Sequence, residues 1–377
     1  MSFIDAPAPK KWRARYKNAS GKWLSRTFTR KVDAENHLTK VKSEILRGEY
    51  LDPAVQRVTV DQAAGEWIQG REDRGRKPKT INGYRGILGR HIEPAFRGRP
   101  LMSVTPGDVD QWLATLAAKP LSESQVRQCL SALSGIYKLA ARRGYVLTNP
   151  ATTAELPSFD KVASARRQFL TAEQVITLAE AMPSPYDTLV YVLAFGGLRF
   201  GEAAALRRRS VLLDQRRLVI SESVADINGH LLFGSTKNRK SRPVHLPASL
   251  CMMLKGHLFH YVRDEDDALV FTSSTGATLR NGNFRKRIWL PAVEAAGLPS
   301  DLRIHDLRHT CASLMIAQGI PPMVVSEHLG HSSVAVTLGV YSHLFDDAKE
   351  KAAAVMEGLF PNVGRTQNVL RDVSGPK

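Results

Sequence analysis

The sequence predicts a mainly α fold with small β-sheets, divided into three parts. Three observations carry this. Thr59 with Gln62, Ser122 with Gln125 and Thr171 with Gln174 can each form a helix-capping box. The first two open runs with apolar residues at helical spacing, and the third starts the last domain. Strand-like signals are confined to two places: the alternation Trp12-Arg13-Ala14-Arg15-Tyr16, and the apolar stretches either side of Asn228-Gly229. The periodicity lapses at Leu51-Asp52-Pro53 and again across residues 153–168, which carry Pro157 and few large apolar side chains. A chain of 377 residues has room for two or three domains of roughly 100–200 residues each.

In chain order, residues 1–9 read as a loose tail. Trp12 and Tyr16 then face one side of a strand, with Arg13 and Arg15 on the other, and Asn18-Ala19-Ser20-Gly21 reads as a turn. Ala34, Leu38, Val41 and Ile45 recur at helical spacing. The expectation is a β-hairpin or three-stranded sheet backed by one helix, over about residues 8–50. Trp12 and Tyr16 form its core, and the arginines opposite are candidates for nucleic-acid contact. A four-helix domain follows over residues 57–152. Its last helix turns Val126, Leu130, Leu133, Ile136 or Tyr137, and Ala140 inward, and Asn149-Pro150 stops it. Two further helices are expected at 80–88 and 108–116. The stretch from Arg71 to Lys79 is strongly basic, and Lys77, Lys79 and Arg85 are placed to lie along phosphates. A linker at 153–168 leads to a mixed α/β domain over 169–361. Helices are expected at 172–182 and 186–195, then a Gly-Gly-Leu-Arg turn and a helix through Leu206. Strands are expected at 218–224, 231–233 and 242–246. Helices resume near 281–296 and dominate to Leu359, and 362–377 is a polar, flexible tail.

The composition narrows the partners. The chain has 53 Lys+Arg against 36 Asp+Glu, a net charge of +17, which favours a polyanion and most simply nucleic acid. Nine Lys or Arg and no Asp or Glu lie between Lys10 and Lys31. Cys129, Cys251 and Cys311 are far apart, which suits reduced thiols and neither a disulfide frame nor a zinc site. The N-terminus lacks an apolar signal region, and no run of ~18 apolar residues suggests a membrane span. A soluble, cytoplasmic protein is expected.

The chemistry concentrates near the end. His305-Asp306-Leu307-Arg308 places a histidine and an arginine three apart, on one helix face. Leu329-Gly330-His331 puts a second histidine after a glycine suited to ending a helix. Tyr341 follows ten residues later. Upstream lie Arg199, with Glu202 one turn on to orient it, and Lys237. Two arginines, two histidines, a lysine and a tyrosine suit an attack on a phosphodiester. The arginine forks can hold nonbridging oxygens as charge builds. His309 lies four after His305, a spacing found in metal sites. The ligand set is incomplete, so no metal is expected and His309 is given a structural role. No P-loop or acidic cluster points to a nucleotide or two-metal mechanism, and no cofactor is expected.

Together these residues resemble the tyrosine recombinases, most closely phage and prophage integrases. Gly-Leu-Arg-x-Gly-Glu at 197–202 looks like the family's first box, and His-Asp-Leu-Arg-His-Thr at 305–310 like its second. Leu-Gly-His at 329–331 and Tyr341 in Tyr-Ser-His complete the order. The resemblance implies an N-terminal β-β-α arm-binding-like module (1–56), a SAM-like core-binding domain (57–152) and a tyrosine recombinase catalytic domain (169–361). It implies Arg199, Lys237, His305, Arg308 and His331 as catalytic, Glu202 as supporting and Tyr341 as the nucleophile. It places the catalytic lysine first in Thr-Lys-x-x-Lys-x-Arg, which favours Lys237 over Lys240. Arg239, in the same run, is expected on DNA with Arg13, Arg15, Lys77, Lys79 and Arg85. It further implies a 3′-phosphotyrosine intermediate, a homotetramer on core-type and arm-type sites in double-stranded DNA, and helpers such as a host DNA-bending protein and an excisionase. The apolar face of the stretch 346–359 would pack in its own domain or on a neighbouring protomer. The rivals are a type IB topoisomerase-like enzyme and a catalytically silent DNA-binding homologue.

Overall fold

The structure, a computed structural model, describes residues 2–18, 21–52, 55–159, 168–235, 241–342, 353 and 356–357. Lys237, Arg239 and Lys240 lie outside the described residues, as do most of the stretch 346–359 and the tail 362–377. The chain divides into two compact units, Met1–Ser164 and Ala165–Lys377.

The first unit opens with a three-stranded antiparallel sheet in the order β1 (Ser2–Ala8), β2 (Lys11–Lys17), β3 (Trp23–Phe28). Residues 2–8 are thus a strand and not the loose tail expected. Cross-strand pairing supplies what local sequence did not show. Asp5 accepts from Arg13 Nε at 2.9 Å and Nη2 at 2.7 Å, and Phe3 meets Trp23 edge-on at 5.6 Å. Helix α1 (Lys31–Leu46) covers the other face, where Ala14, Tyr16, Ala34, Leu38 and Val41 are buried. Arg13 and Arg15 lie opposite, as their alternation with Trp12 and Tyr16 requires. Arg15 also sits over the Phe3 and Trp23 rings at 5.5 and 5.8 Å.

Helices α2 (Val60–Glu72), α3 (Pro78–Ile87), α4 (Glu93–Phe96), α5 (Pro106–Ala117) and α6 (Glu123–Arg142) follow. The capping boxes at Thr59/Gln62 and Ser122/Gln125 form with both halves made, and Thr105/Asp108 adds a third that sequence reading missed. A wide helical turn, Leu88–Ile92, joins α3 to α4. Ile92, Leu113, Val126, Leu133 and Ile136 are buried in one core. Tyr137 donates to Leu101 O at 3.1 Å, and Trp112 Nε1 to His91 O at 2.9 Å. Helix α6 ends at Arg142, before Gly144 with φ 71°, and not at Asn149-Pro150. Asn149 instead ties back to Ser134 O at 3.2 Å. Lys77 caps α3 and Lys79 lies in its first turn. Arg85 pairs with Glu72 at 2.7 Å. An exposed arginine–carboxylate pair such as this contributes about 0–1 kcal/mol, so a phosphate can displace Glu72 cheaply.

The second unit begins with α7 (Ala172–Glu180), α8 (Tyr186–Phe195) and α9 (Phe200–Ala203). Helix α8 buries Leu189, Val190, Val192, Leu193 and Ala194, so it is apolar on nearly every side and sits inside the core. Strands β4 (Val211–Leu212), β5 (Arg217–Ile220), β6 (Glu222–Ile227), β7 (His230–Ser235) and β8 (Arg242–His245) form two separate sheets. One has the order β4-β5-β8 and the other is the hairpin β6-β7, turning at Asn228 and Gly229 with φ 52° and 83°. The single strand expected over 218–224 is split at Ser221, and β8 pairs with β5 and not with β7. Helix α10 (Ala248–Tyr261) was not foreseen. Then come α11 (Asn281–Phe284), α12 (Leu290–Ala295), α13 (Asp306–Ala317), α14 (Pro322–Leu329) and α15 (Val334–Tyr341). Helix α13 packs on α8, and the turn after α8 lies against α13, with Gly197 close to Cys311 and its carbonyl accepting from Arg308. Among the described residues no helix is long and apolar enough to cross a membrane.

Candidate active site

Three chain breaks in the second unit meet at one place. The first is the turn after α8. Gly197 has φ +64°, and a Cβ there would meet Leu329 Cδ2 at 2.6 Å and Cys311 Sγ at 3.0 Å. Only glycine permits this approach of the turn to α13 and α14. The second is the start of α13, where His305 is the N-cap. Asp306, 1% exposed, accepts from Arg303 N at 2.9 Å and from its Nη2 at 2.7 Å, which fixes the helix entry. The third is the end of α14. Gly330 closes it in the left-handed region at φ 66°, and the next residue is His331.

Arg308 joins all three. It is 2% exposed, and its guanidinium donates to Gly197 O at 2.6 Å and to Leu329 O at 2.5 Å. Burial, followed by the neighbouring Arg199 cation, lowers its pKa to about 9, so it stays charged at neutral pH. Arg199 Nη1 donates to Glu202 Oε1 at 2.9 Å, and Glu202 Oε2 accepts the Arg199 backbone N–H at 3.0 Å. Glu202 is 2% exposed and is held from the other side by Arg242, at 3.1 Å and 2.7 Å. Burial pushes the Glu202 carboxyl up. The hydrogen bond and charge of Arg242, and then Arg199, outweigh it and bring the group down to about 2. Arg242 also donates to His328 O at 3.3 Å, and a Cβ on Gly330 would strike its Cδ at 2.7 Å.

The two histidines are kept uncharged by burial and by these arginines. His305 is lowered by burial, then by Arg308 and Arg199. His331 is brought down to about 4 by the same causes, and its Nδ1 lies 2.8 Å from Oγ1 of buried Thr337. Tyr341, the last residue of α15, is 1% exposed. Its hydroxyl is 2.7 Å from Nδ1 of His309, and its charge would act on Arg308. Arg199 and His331 also line a cleft of about 1070 Å³ with Arg242, His245, Phe195 and Met315.

Arg199, Glu202, His305, Arg308, His331 and Tyr341 are therefore brought together within the second unit. Arg13, Arg15, Lys77, Lys79 and Arg85 belong to the first unit. Sequence reading missed two residues. Arg242 was passed over as the end of the basic run, although its partner Glu202 lies 40 positions away. His309, expected in a structural role, touches the Tyr341 hydroxyl, a contact the sequence did not show. Among the described residues no cluster of three or more His, Cys, Asp or Glu is placed to hold a metal ion.

A model described as "Phage integrase family" matches residues 168–348, and one for the "Phage integrase, N-terminal SAM-like domain" matches 70–144. A prophage phiRv2 integrase of Mycobacterium tuberculosis is 28% identical over 357 residues, spanning 93% of this chain and 94% of its own length. The integrase of Mycobacterium phage D29 is 26% identical over 351 residues, spanning 89% and 91%. Among solved structures, the Tn1549 transposon integrase in complex with transposon right end DNA superposes with a TM-score of 0.70 at 18% identity, covering 79% of this chain and 100% of that one. A lambda integrase dimer bound to a COC′ core site gives 0.59 at 18% identity, covering 92% and 95%. These structures share the fold. With both family models matched in order and the two arginines, two histidines and tyrosine converging, the chain belongs to the phage integrase family of tyrosine recombinases.

Proposed function

We propose that this chain is a site-specific DNA integrase that cuts and rejoins DNA through a covalent bond between Tyr341 and a 3′ phosphate. One observation carries the reading: Arg199, His305, Arg308, His331 and Tyr341 converge although 142 positions separate the first from the last. Arg199 and Arg308 receive the scissile phosphate. A guanidinium has five N–H donors, and Arg308 commits two of them to Gly197 and Leu329, which fix its plane. Arg199 is steered by Glu202, which Arg242 holds in turn. His305 and His331, both neutral, add hydrogen bonds to the phosphate oxygens. Lys237 delivers the proton to the departing 5′ oxygen.

Ionising a tyrosine of pKa about 10 at pH 7 costs ~4 kcal/mol, which the two arginines offset once the phosphate is bound. The phosphotyrosine bond keeps the energy of the phosphodiester, so rejoining to a new strand needs no ATP. Residues 1–56 are proposed to read arm-type sites through Arg13 and Arg15. Residues 57–152, through Lys77, Lys79 and Arg85, and the domain over 169–361, with Arg239, would grip the core-type site from either side of the linker at 153–168. Four copies acting on two duplexes in the bacterial cytoplasm would integrate, and with an excisionase release, a phage or mobile element. A host DNA-bending protein would assist. A lambda integrase tetramer bound to a Holliday junction, a neighbour by fold, supports the reading of four copies acting on two duplexes.

The test uses nicked duplexes tiled across the DNA flanking the gene, mixed with the protein without metal or ATP. A covalent DNA–protein adduct on a denaturing gel is expected, and Tyr341→Phe should abolish it. Tight, salt-sensitive binding with no adduct would leave a silent DNA-binding homologue.

A further inference from the structure

The Tyr341 hydroxyl rests on an imidazole. His309 Nδ1 is 2.7 Å from it, and the two ring centroids are 5.8 Å apart. His309 lies one helical turn after His305, with the rings edge to face at 5.0 Å, and follows Arg308 directly. Tyr341 is 1% exposed, so bulk water has almost no access to its oxygen. Resting on the reading of Tyr341 as nucleophile, we propose that His309 takes the phenol proton when Tyr341 attacks the scissile phosphate, and returns it on rejoining.

The step balances. Neutral His309 carries its proton on Nε2 and offers the Nδ1 lone pair to the hydroxyl. As the Tyr341 oxygen bonds to phosphorus, its proton passes to Nδ1 and the ring becomes an imidazolium. The bond from phosphorus to the 5′ oxygen breaks, and that oxygen takes a proton from Lys237. In the reverse direction the 5′ hydroxyl gives its proton back to Lys237 as it attacks, the tyrosine oxygen leaves, and that oxygen recovers its proton from His309. One proton is thus held on the ring through the life of the intermediate. An imidazole of ordinary pKa about 6.5 is uncharged and able to accept at neutral pH, whereas a phenol of pKa about 10 needs such help. The titratable groups beside His309 are His305, His331 and Tyr341, and Arg308 and Arg199 act in turn on both of those histidines. Both arginines disfavour a new cation until a phosphate arrives, which ties proton transfer to a loaded site. His305 is the neighbouring histidine, but the contact to the hydroxyl is made by His309, and geometry ranks a base first.

The test uses the duplex on which the parent forms its adduct, made with either oxygen or sulfur at the bridging 5′ position. Sulfur leaves as a thiolate and needs no acid. His309→Asn keeps a side-chain amide near the Nδ1 position, so it can hold the hydroxyl but cannot accept its proton. Single-turnover adduct formation is expected to slow roughly 10²–10⁴-fold in His309→Asn on both substrates, with DNA affinity kept. Added imidazole should restore part of the rate to His309→Ala. Lys237→Ala should be slow on the oxygen substrate alone. A His309→Asn rate within a few-fold of the parent would mean that the contact only positions the tyrosine. A faster rate would mean that it restrains the resting enzyme, and rescue by sulfur would move His309 to the leaving group. Each of these overturns the proposal and leaves Tyr341 standing. An adduct that survives Tyr341→Phe removes both. Should the Asn variant lose DNA binding, His309→Gln is read by the same outcomes.

Discussion

At the scale of single residues, the site is a set of charges that fix one another. Glu202 is the hub, since a buried carboxylate holds Arg199 on one side and Arg242 on the other. Removing Arg242 leaves the buried carboxylate with Arg199 alone and two of its side-chain hydrogen bonds lost. Arg242→Ala is therefore expected to cost on the order of 3–5 kcal/mol in urea unfolding. It should also slow adduct formation although the chain contact runs through Glu202 to Arg199. The same carboxylate gives a pH signature. Its folded-state pKa of about 2 is below the ordinary value near 4.3, so its stabilisation is present above about pH 4.3 and lost as pH falls towards 2. The difference in stability between the parent and Glu202→Gln should therefore be constant near pH 6–7 and shrink by roughly 2 kcal/mol by pH 3. A difference that does not change with pH would mean that the pair is not held as described. The boxes around Arg199 and Arg308 were legible because each spans only a few consecutive residues. Arg242 was not, because its partner is 40 positions away and a basic run gives no hint of a buried carboxylate. The place of His309 beside Tyr341 was not legible either, because its spacing from His305 pointed only to a metal reading or a structural role. Its contact with Tyr341 spans 32 positions.

At the scale of elements, legibility followed how local the determinant is. Capping boxes are local, and those at Thr59, Ser122 and Thr171 are made as the sequence implied. Helix α8 runs from Tyr186 to Phe195, as its apolar run predicts. Strand β1 was read as a tail because its support comes from Arg13 and Trp23 on other strands. Strand β8 pairs with β5 across the whole β6-β7 hairpin, a topology no short pattern carries. Helix α10 escaped notice for another reason. Leu250, Leu254 and Leu258 face the core, but Met252 and Phe259 are 74% and 82% exposed, so apolar residues on the wet side blur the period. The caps also give a prediction. Thr171→Ala removes the hydroxyl that accepts the Gln174 N–H at 3.2 Å, and should lower stability by about 1 kcal/mol through fraying of α7. Amide hydrogen exchange would show faster exchange in that first turn, while the adduct-forming rate stays near the parent's. Slowed chemistry with unchanged exchange would contradict the assignment of this cap to stability alone.

At the scale of the whole molecule, a net charge of +17 suits a protein that binds a long polyanion. The charge was legible at once, and it says nothing about chemistry. Chemistry rests on the second unit, where two helix ends and one turn bring Arg199, Arg308, His331 and Tyr341 together. The central claim is that Tyr341 becomes bonded to DNA. It is tested most directly by digesting the trapped adduct with protease and nuclease and mapping the peptide that carries the residual nucleotide. The account predicts that mass on Tyr341, through a 3′ phosphate. The same nucleotide on any other residue, or attached through a 5′ phosphate, would contradict it.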